Sequence, residues 1–321
     1  MKPRVGLIGA RRRRQGLGPF VARDLVSAGA VVPCFLSSST ETIAAGRAAL
    51  LEHAGTEAHG YTELHEMVEK ERLDAVAILS PSDTHDSYLG AAAKAGLHVL
   101  CEKPLLWGEA DLLARARARV DSFRSRRLLL AENCQWPYTL DAFRELHPDL
   151  RDGPPRSFQM RLSPTSTGLE LVGDCLPHPL SLLQTLAPGE ETAVRAVRYS
   201  AHAPDLSHLR VEFEFESNGA RIEVELDLQP SGFPRVASLV VDGRRAERRI
   251  RLLDYRMSYA DGDRSVPLPD PLPRLVHEFV SDLRGVLDGG TPPDTDPILR
   301  RMAMLETLEC AYRGQEPDLV R

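Results

Sequence analysis

Residues 77–105 read AILSPSDTHDSYLGAAAKAGLHVLCEKPL, and this stretch decides the fold of the first half of the chain. Its apolar beginning belongs to a run at 74–79, and a second short apolar run covers 98–101. Continuously apolar runs of this length are typical of parallel strands that are buried on both faces. The Ala-rich segment between the runs has a helical composition. The stretch therefore predicts a strand, a helix and a second strand.

The same alternation continues on both sides of this unit. We predict further strands at 5–8, 31–36 and 127–132, and helices at 19–28, 41–53 and 108–123. Strands that alternate with helices form α/β structure with a parallel sheet. Residues 1–132 are therefore predicted to form a doubly wound, Rossmann-type domain.

The pattern changes after residue 132. Residues 210–216 and 222–228 alternate apolar with acidic side chains, so each predicted strand has one apolar and one acidic face. A basic strand at 248–253 is expected to pair with the acidic face and offset the repulsion between its carboxylates.

Two predicted helices, at 273–287 and 297–312, close the chain. We predict that residues 133–321 form an α+β substrate-binding and oligomerisation domain with a mostly antiparallel open sheet. The terminal helices are candidates to pack back on the first domain.

Composition limits the class of partner. The chain has 321 residues, which favours two domains, and a formal net charge of −6 from 40 basic and 46 acidic side chains. This charge gives no global field that would attract nucleic acid or an anionic membrane, and we expect no membrane span or targeting segment. The five cysteines have no CxxC spacing and are predicted to be free thiols in a reducing cytoplasm. A small soluble molecule is the expected partner.

A glycine-rich turn follows the first predicted strand. Gly9 and Ala10 come directly after the strand, and Gly16 and Gly18 lead into the next helix. A strand, a tight turn and a helix N-terminus together bring backbone N–H groups to the pyrophosphate of a dinucleotide. The spacing is not the usual GxGxxG, so an ordinary structural turn is an equal alternative.

Basic and hydroxyl side chains near this turn bear on which dinucleotide is bound. The arginine run at 11–14 could pair with a pyrophosphate or a 2′-phosphate, and Arg11 and Arg12 are the candidates. Ser37, Ser38 and Ser39 stand where an NAD-preferring site usually has a carboxylate. NADP is therefore mildly favoured over NAD. These serines could also cap the following helix.

The segment quoted above closely resembles the glucose-fructose oxidoreductase / inositol dehydrogenase family (Gfo/Idh/MocA-like). The matching positions are Ser80-Pro81, His85 and Glu102-Lys103-Pro104. The resemblance implies that Ser80, Pro81 and His85 lie near the cofactor. It also implies that Glu102 lies near the nicotinamide ribose and Lys103 beneath the reacting carbon.

Position gives a separate reason to single out Lys103. Parallel sheets bind ligands at the carboxyl ends of their strands, where this lysine is predicted to stand. An ammonium group there can donate a hydrogen bond to a substrate hydroxyl oxygen, stabilise a developing alkoxide and take part in a proton relay. A surface lysine at a strand end is the alternative.

Asp174 and His178 form the second candidate pair. They are four residues apart in a helical pattern that continues through Leu183, so they can share one face. The spacing resembles the family's D-x-x-x-H element, which supplies an acid/base histidine, and a nearby carboxylate can orient such a histidine. The alternative is a packed histidine with Asp174 as an ordinary helix cap. Leu176 replaces the family's usual glycine and Ser181 its usual aspartate, which leaves the substrate open.

Three further side chains are candidate substrate contacts. Asn133 and Trp136 follow the last strand of the first domain, and Trp136 offers a flat apolar wall for a sugar ring. Arg161 could reach the substrate from the second domain, although a plain strand residue is the alternative. No histidines or cysteines have metal-ligand spacing, so no metal is expected.

The sequence therefore favours an NAD(P)-dependent oxidoreductase that transfers a hydride between the nicotinamide and a sugar, cyclitol or related secondary alcohol or ketone. In this hypothesis Lys103 and His178 move the hydroxyl proton, and Asp174 orients the histidine. The alternatives are a redox-inactive regulator that binds a dinucleotide or sugar, and an NAD-dependent glycoside hydrolase. A homo-oligomer through the C-terminal sheet is possible. The exact substrate and the reaction direction stay open.

Overall fold

The computed structural model describes residues 2–10, 16–108 and 110–319. The chain divides into two compact units. The first consists of Met1–Asn133 with Leu272–Leu299, and the second of Cys134–Pro271 with Arg300–Arg321.

The described residues of the first unit form a six-stranded parallel sheet in the order β3-β2-β1-β4-β5-β6. Its strands are β1 (Val5–Ile8), β2 (Cys34–Leu36), β3 (His59–Tyr61), β4 (Ala75–Ile78), β5 (His98–Glu102) and β6 (Leu130–Asn133). The helices between them are α1 (Gly18–Ser27), α2 (Thr40–Ala54), α3 (Leu64–Glu71), α4 (His85–Lys94) and α5 (Leu112–Ser125). This is the doubly wound order, so the predicted Rossmann-type fold is confirmed.

The core of the first unit lies on both faces of this sheet. Every residue of β1 and of β4 is buried, as their apolar sequences require. β1 pairs with β2 on one side and with β4 on the other. The chain order therefore reverses at β1, and the carboxyl ends of β1 and β4 lie side by side.

The described residues of the second unit form an eight-stranded sheet in the order β14-β13-β12-β11-β7-β10-β9-β8. A 3₁₀ turn (Trp136–Thr139), α6 (Leu140–Leu146), β7 (Ser157–Leu162), α7 (Gly168–Cys175) and α8 (Pro177–Leu186) come first. The strands β8 (Thr192–Ala201), β9 (Leu209–Ser217), β10 (Ala220–Leu228), β11 (Ala237–Val241), β12 (Arg244–Arg251), β13 (Arg256–Asp261) and β14 (Arg264–Leu268) follow. The helices α9 (Pro271–Leu287) and α10 (Asp296–Leu319) end the chain, and the stretch Leu272–Leu299 belongs to the first unit. Only the β7–β10 pair is parallel among these described strands, which confirms the mostly antiparallel sheet.

The acidic face of β9 and β10 is neutralised by arginines of β8 and of the two strands themselves. The ion pairs are Arg195–Glu216 (2.6 Å), Arg198–Glu212 (3.7 Å), Arg210–Glu225 (2.8 Å) and Arg221–Glu214 (3.5 Å). The predicted pairing of the basic strand with this face is wrong, because β12 lies between β11 and β13. The apolar side chains of β9 alternate with these charges and are buried, as predicted.

Some strand boundaries differ from those the sequence predicts. β3 is not predicted at all, because three residues centred on Gly60 give too short an apolar run. The strand predicted at 31–36 is shortened to Cys34–Leu36, after Pro33, which has no N–H to donate. The basic strand predicted at 248–253 is Arg244–Arg251, and its last two predicted residues lie in a turn.

No helix in the described part of the chain is both long and apolar enough to cross a membrane.

We expect the core of the second sheet to depend on Phe158 of β7, which is fully buried. Phe158→Ala should lower the free energy of unfolding by about 3 to 5 kcal/mol, because it removes buried apolar surface and leaves a cavity. Gln159→Ala is the matched control, since its side chain is exposed on the opposite face, and should change stability by less than about 0.5 kcal/mol. Urea denaturation of the three proteins measures both effects. Equal stabilities would contradict this placement of the core.

Candidate functional site

The glycine turn brings the start of α1 against the end of β1. Gly9 has a positive φ of 100°, a conformation that side chains rarely allow. A β-carbon added to Gly18 would overlap the carbonyl oxygen of Gly9 and come within 2.9 Å of Ala10 Cα. Gly16 lies just before the helix. The backbone therefore forms a close cradle at a helix N-terminus, which is where backbone N–H groups bind phosphate.

The two arginines that the sequence associates with this cradle, Arg11 and Arg12, lie outside the described residues.

The serines after β2 hold the start of α2. Thr42 is at the centre: its hydroxyl lies 2.5 Å from that of Ser37, accepts a hydrogen bond from the Ser39 N–H at 3.2 Å and donates one to the Ser39 carbonyl at 2.8 Å. The expected capping of α2 is thus made by Ser39 and Thr42. The side chain of Ser38 is exposed.

His85 ties the turn after β4 to the turn after β5. Its Nδ1 lies 3.0 Å from the Pro104 carbonyl oxygen and its Nε2 lies 2.9 Å from the Ser80 carbonyl oxygen. Two carbonyl acceptors favour the protonated ring, but burial is the larger effect and lowers the pKa of His85. Because Pro104 follows Lys103, the imidazole fixes the backbone at the predicted catalytic lysine.

Glu102 and Asn133 stand at the carboxyl ends of the adjacent strands β5 and β6. The Asn133 side-chain amide donates a hydrogen bond to Glu102 Oε1. Burial raises the pKa of Glu102 to about 7, while the positive charge of Lys103 and the bond from Asn133 oppose that rise. Asn133 is almost fully buried. The predicted residues of the first unit therefore meet along one edge of the sheet.

Glu132 belongs to the same edge, although the sequence does not single it out. Its Oε1 accepts a hydrogen bond from the Leu105 N–H at 2.9 Å. This bond holds the chain immediately after Lys103-Pro104. The only feature of the sequence that points to Glu132 is its position at the end of the strand predicted at 127–132.

In the second unit, Asp174 and His178 lie where two short helices meet. α7 ends at Cys175 and α8 begins at Pro177, while Leu176 between them keeps helical angles of φ −69° and ψ −25°. The continuous helix that the sequence predicts is thus broken at Leu176. The one-turn spacing survives, and both side chains are partly exposed between buried neighbours, so they share a face.

Each member of the pair has a hydroxyl contact. The Ser166 hydroxyl donates to Asp174 Oδ2 at 3.4 Å, and the Ser181 hydroxyl donates to the His178 carbonyl oxygen at 2.8 Å. The Ser181 contact is to the backbone of the first turn of α8. It therefore holds the helix end that carries His178 and leaves the imidazole to other contacts.

Trp136 contacts both His178 and Arg248, and the sequence does not identify Arg248 as a site residue. The centroids of the Trp136 and His178 rings are 5.9 Å apart. The guanidinium carbon of Arg248 lies 5.5 Å from the centroid of the Trp136 ring. The backbone of Trp136 is fixed, because Tyr259 donates to the Thr139 hydroxyl at 3.0 Å and that hydroxyl donates to the Trp136 carbonyl at 2.7 Å.

Arg161 does not join this group. Ala237 of β11 pairs with Leu162 of β7 on one side and with Arg248 of β12 on the other. Arg161 is the sequence neighbour of Leu162. Directly paired residues share a face and adjacent residues do not, so Arg161 points to the opposite face from Arg248. There it donates to Gln229 Oε1 at 2.6 Å and contacts Asp227 at 3.4 Å.

No group of three or more His, Cys, Asp or Glu side chains among the described residues is placed to hold a metal ion.

The sequence of the first unit matches a known family. Residues 4–127 match the GFO_IDH_MocA family, described as an oxidoreductase family with an NAD-binding Rossmann fold. Inositol 2-dehydrogenase of Streptomyces avermitilis is 32% identical over 183 residues, which are 54% of this chain and 52% of that protein. The match thus spans about half the length of that relative. The resemblance seen in the sequence is confirmed.

Solved structures share the whole fold. UDP-N-acetylglucosamine 3-dehydrogenase GnnA of Acidithiobacillus ferrooxidans has a TM-score of 0.70 at 18% identity and covers 100% of both chains. KijD10, a 3-ketoreductase of Actinomadura kijaniata in complex with NADP, has a TM-score of 0.67 at 19% identity over 97% of this chain and 98% of that chain. At these identities the likeness establishes the fold alone.

Glu102 should give the stability a specific pH dependence. Its pKa in the folded chain, about 7, exceeds the ordinary value of 4.5. Its contribution is therefore fully present below the ordinary pKa and is lost as the pH rises through about 7. We expect Glu102→Gln to gain about 1 to 3 kcal/mol relative to wild type between about pH 5 and pH 8. Urea denaturation at both pH values measures this, with the exposed Glu57→Gln as control. Parallel pH curves for wild type and Glu102→Gln would contradict it.

Proposed function

Because residues 4–127 of this chain match the GFO_IDH_MocA oxidoreductase family, we propose that the chain is an NAD(P)-dependent oxidoreductase. Its reaction moves a hydride between the nicotinamide and a secondary alcohol or ketone of a sugar or cyclitol. The observation that carries this proposal is the edge of the first sheet, where the glycine cradle, His85, Glu102 and Lys103 follow the strands β1, β4 and β5.

The cradle fits a dinucleotide. Gly18 must lack a β-carbon because the Gly9 carbonyl occupies the space that a β-carbon needs. This close approach brings the end of β1 to the N-terminus of α1, and a helix N-terminus in this position is where doubly wound folds bind a pyrophosphate. Gly9, Ala10 and Gly18 would hold the pyrophosphate, and Ser80 and Glu102 would contact the rest of the cofactor, as the family resemblance implies.

The bound cofactor supplies the hydride acceptor or donor, and the side chains of this chain handle the proton. Lys103 donates a hydrogen bond to the substrate oxygen and stabilises negative charge on it. His178 takes the hydroxyl proton during oxidation and returns it during reduction. Asp174 orients the imidazole. The resemblance to the family assigns these three residues to the same substrate.

Two relatives support this substrate class. The Streptomyces relative is an inositol 2-dehydrogenase, and a relative from Acidithiobacillus ferrooxidans, 28% identical over 40% of this chain, is a UDP-N-acetylglucosamine 3-dehydrogenase. Both names describe oxidation of a ring carbon that bears a hydroxyl group. Trp136 beside His178 offers the flat surface that a sugar or cyclitol ring packs against.

NADP is the proposed preference over NAD. Ser37, Ser38 and Ser39 follow β2 without a carboxylate among them, so no acidic side chain of this run repels a 2′-phosphate. Arg11 and Arg12 are proposed to contact phosphate.

A cytoplasmic location is proposed from the cysteines. Cys34, Cys101 and Cys175 are buried free thiols, which suits a reducing compartment. The homo-oligomer through the C-terminal sheet stays a prediction.

The roles of Lys103 and His178 can be tested by kinetics. A substrate is first identified by screening sugars and cyclitols with each cofactor, with nicotinamide absorbance as the readout. Lys103→Met and His178→Asn should then lower kcat by roughly 10²- to 10⁴-fold, because each removes a group that handles the proton. Lys94→Met is the matched control, since Lys94 is exposed on α4, and should keep wild-type kcat. Wild-type turnover in either active-site variant would exclude its proposed role.

The cofactor proposal is tested by titration with NADP(H) and NAD(H), followed by nicotinamide fluorescence or calorimetry. Gly18→Ala should raise the dissociation constants of both cofactors by about tenfold or more, equivalent to about 1.4 kcal/mol. The reason is that the added methyl group opens the cradle. Gly285→Ala is the control, because its β-carbon meets nothing within 4 Å. Arg11→Ala combined with Arg12→Ala should weaken the binding of NADP(H) more than the binding of NAD(H). Failure of the wild type to bind either cofactor would reject the proposed function.

A further inference from the structure

Arg248 is a partly buried arginine on β12 whose guanidinium has an unusual set of partners. Its Cζ lies over the Trp136 ring at 5.5 Å, and its NH2 group donates to the Arg235 carbonyl oxygen at 3.2 Å. Its Nε is buried without a hydrogen-bond partner. Among the described residues, no carboxylate lies within ion-pair distance of Arg248. A cation removed from water in this way is costly unless an anion joins it.

Other arginines of the same sheet do form ion pairs with carboxylates. Arg210 and Arg195 lie 2.8 Å and 2.6 Å from glutamates. Even on β12, Arg245 contacts Glu247 at 2.6 Å. The sheet therefore pairs these arginines with carboxylates and leaves Arg248 without one inside the described chain.

A second guanidinium adds to the positive charge. Arg235 donates to the Thr165 hydroxyl at 3.3 Å, and no carboxylate among the described residues forms an ion pair with it. Burial lowers the pKa of Arg248, and the positive charge of Arg235 lowers it further. An anion placed against both guanidinium groups would relieve the repulsion between them and the loss of solvent.

These cations adjoin the predicted acid/base pair. Thr165, which contacts Arg235, precedes Ser166, whose hydroxyl donates to Asp174. The Trp136 ring lies near both the Arg248 guanidinium, at 5.5 Å, and the His178 ring, at 5.9 Å. Arg235 and Arg248 form a cationic patch, and Arg248 of this patch contacts the same indole as the imidazole.

We propose that the cationic patch binds an anionic group, a carboxylate or a phosphate, on the sugar or cyclitol substrate, and that Arg248 makes this enzyme specific for such substrates over neutral polyols. This inference rests on the proposed function, because it gives the chemical class of the substrate that His178 acts on.

Steady-state kinetics with matched substrates test the proposal. The carboxylate arm uses D-glucuronate and D-galacturonate, the phosphate arm uses D-glucose 1-phosphate and UDP-glucose, and D-glucose and myo-inositol are the neutral arm. Wild type should prefer one anionic arm over the neutral arm in kcat/KM, and the arm that is preferred identifies the anion.

The arginine variants then show whether the patch causes that preference. Arg248→Gln should raise KM for the anionic substrate by about 10- to 100-fold with kcat changed only a few-fold, the loss expected for a charge-assisted hydrogen bond. KM for a neutral substrate should not change. Arg248→Lys should recover part of the affinity, because it keeps the charge and loses the planar fork. Arg249→Gln is the matched control, since Arg249 is the exposed neighbour on the same strand.

Two results would overturn the proposal. One is a wild type that turns over neutral and anionic substrates equally well. The other is an Arg248→Gln variant that loses activity on both classes alike, which would make Arg248 a structural support for Trp136. If Arg248→Gln does not fold, Arg235→Gln replaces it, because its side chain lies on the loop before β11, and it should raise KM for the anionic substrate selectively.

Failure of the proposed function is recognised separately. A wild type without NADP(H) or NAD(H) binding and without turnover rejects the oxidoreductase. In that case the cationic patch is tested by calorimetry with D-glucuronate and D-glucose 1-phosphate. Binding that Arg248→Gln abolishes would still support the anion site, and absence of binding would overturn it.

Discussion

The pairing of β1 with β4 is the constraint on which the first unit depends. Val5–Ile8 lies in register with Ala75–Ile78, and both strands are buried on both faces, so neither can shift without exposing apolar surface. This pairing reverses the strand order at β1. It thereby sets the glycine cradle beside the turn that carries Ser80 and His85, and ligands of doubly wound sheets bind at such a point.

The parts of the site that could be predicted from the sequence are contiguous in it. Ser80 to His85 and Glu102 to Pro104 each follow a single buried strand, and the strand period alone places them at one edge. The pair Asp174 and His178 is similar, because one helical turn brings the two together even where Leu176 breaks the helix. Local periodicity is enough in these cases.

The residues of the site that could not be predicted from the sequence are placed by the register of the second sheet. Arg248 contacts Trp136, which is more than a hundred residues earlier in the chain, because β12 pairs with β11 and β13 at one particular offset. The sequence RRAERRIR shows only charge, so neither the strand limits nor the inward-facing arginine can be predicted from it. For the same reason Arg161, which looks available in the sequence, lies on the other face with Asp227.

The way Arg248 meets Trp136 restricts what the arginine can bind. A guanidinium carries its N–H donors in one plane, in a fork that matches the oxygens of a carboxylate or phosphate. One of these groups is held by the Arg235 carbonyl. The remaining donors can serve a ligand, and two of them side by side match two oxygens of a carboxylate or phosphate. A neutral hydroxyl group could accept one such bond but would leave the charge uncompensated. An anionic ligand therefore matches both the shape and the charge of this side chain.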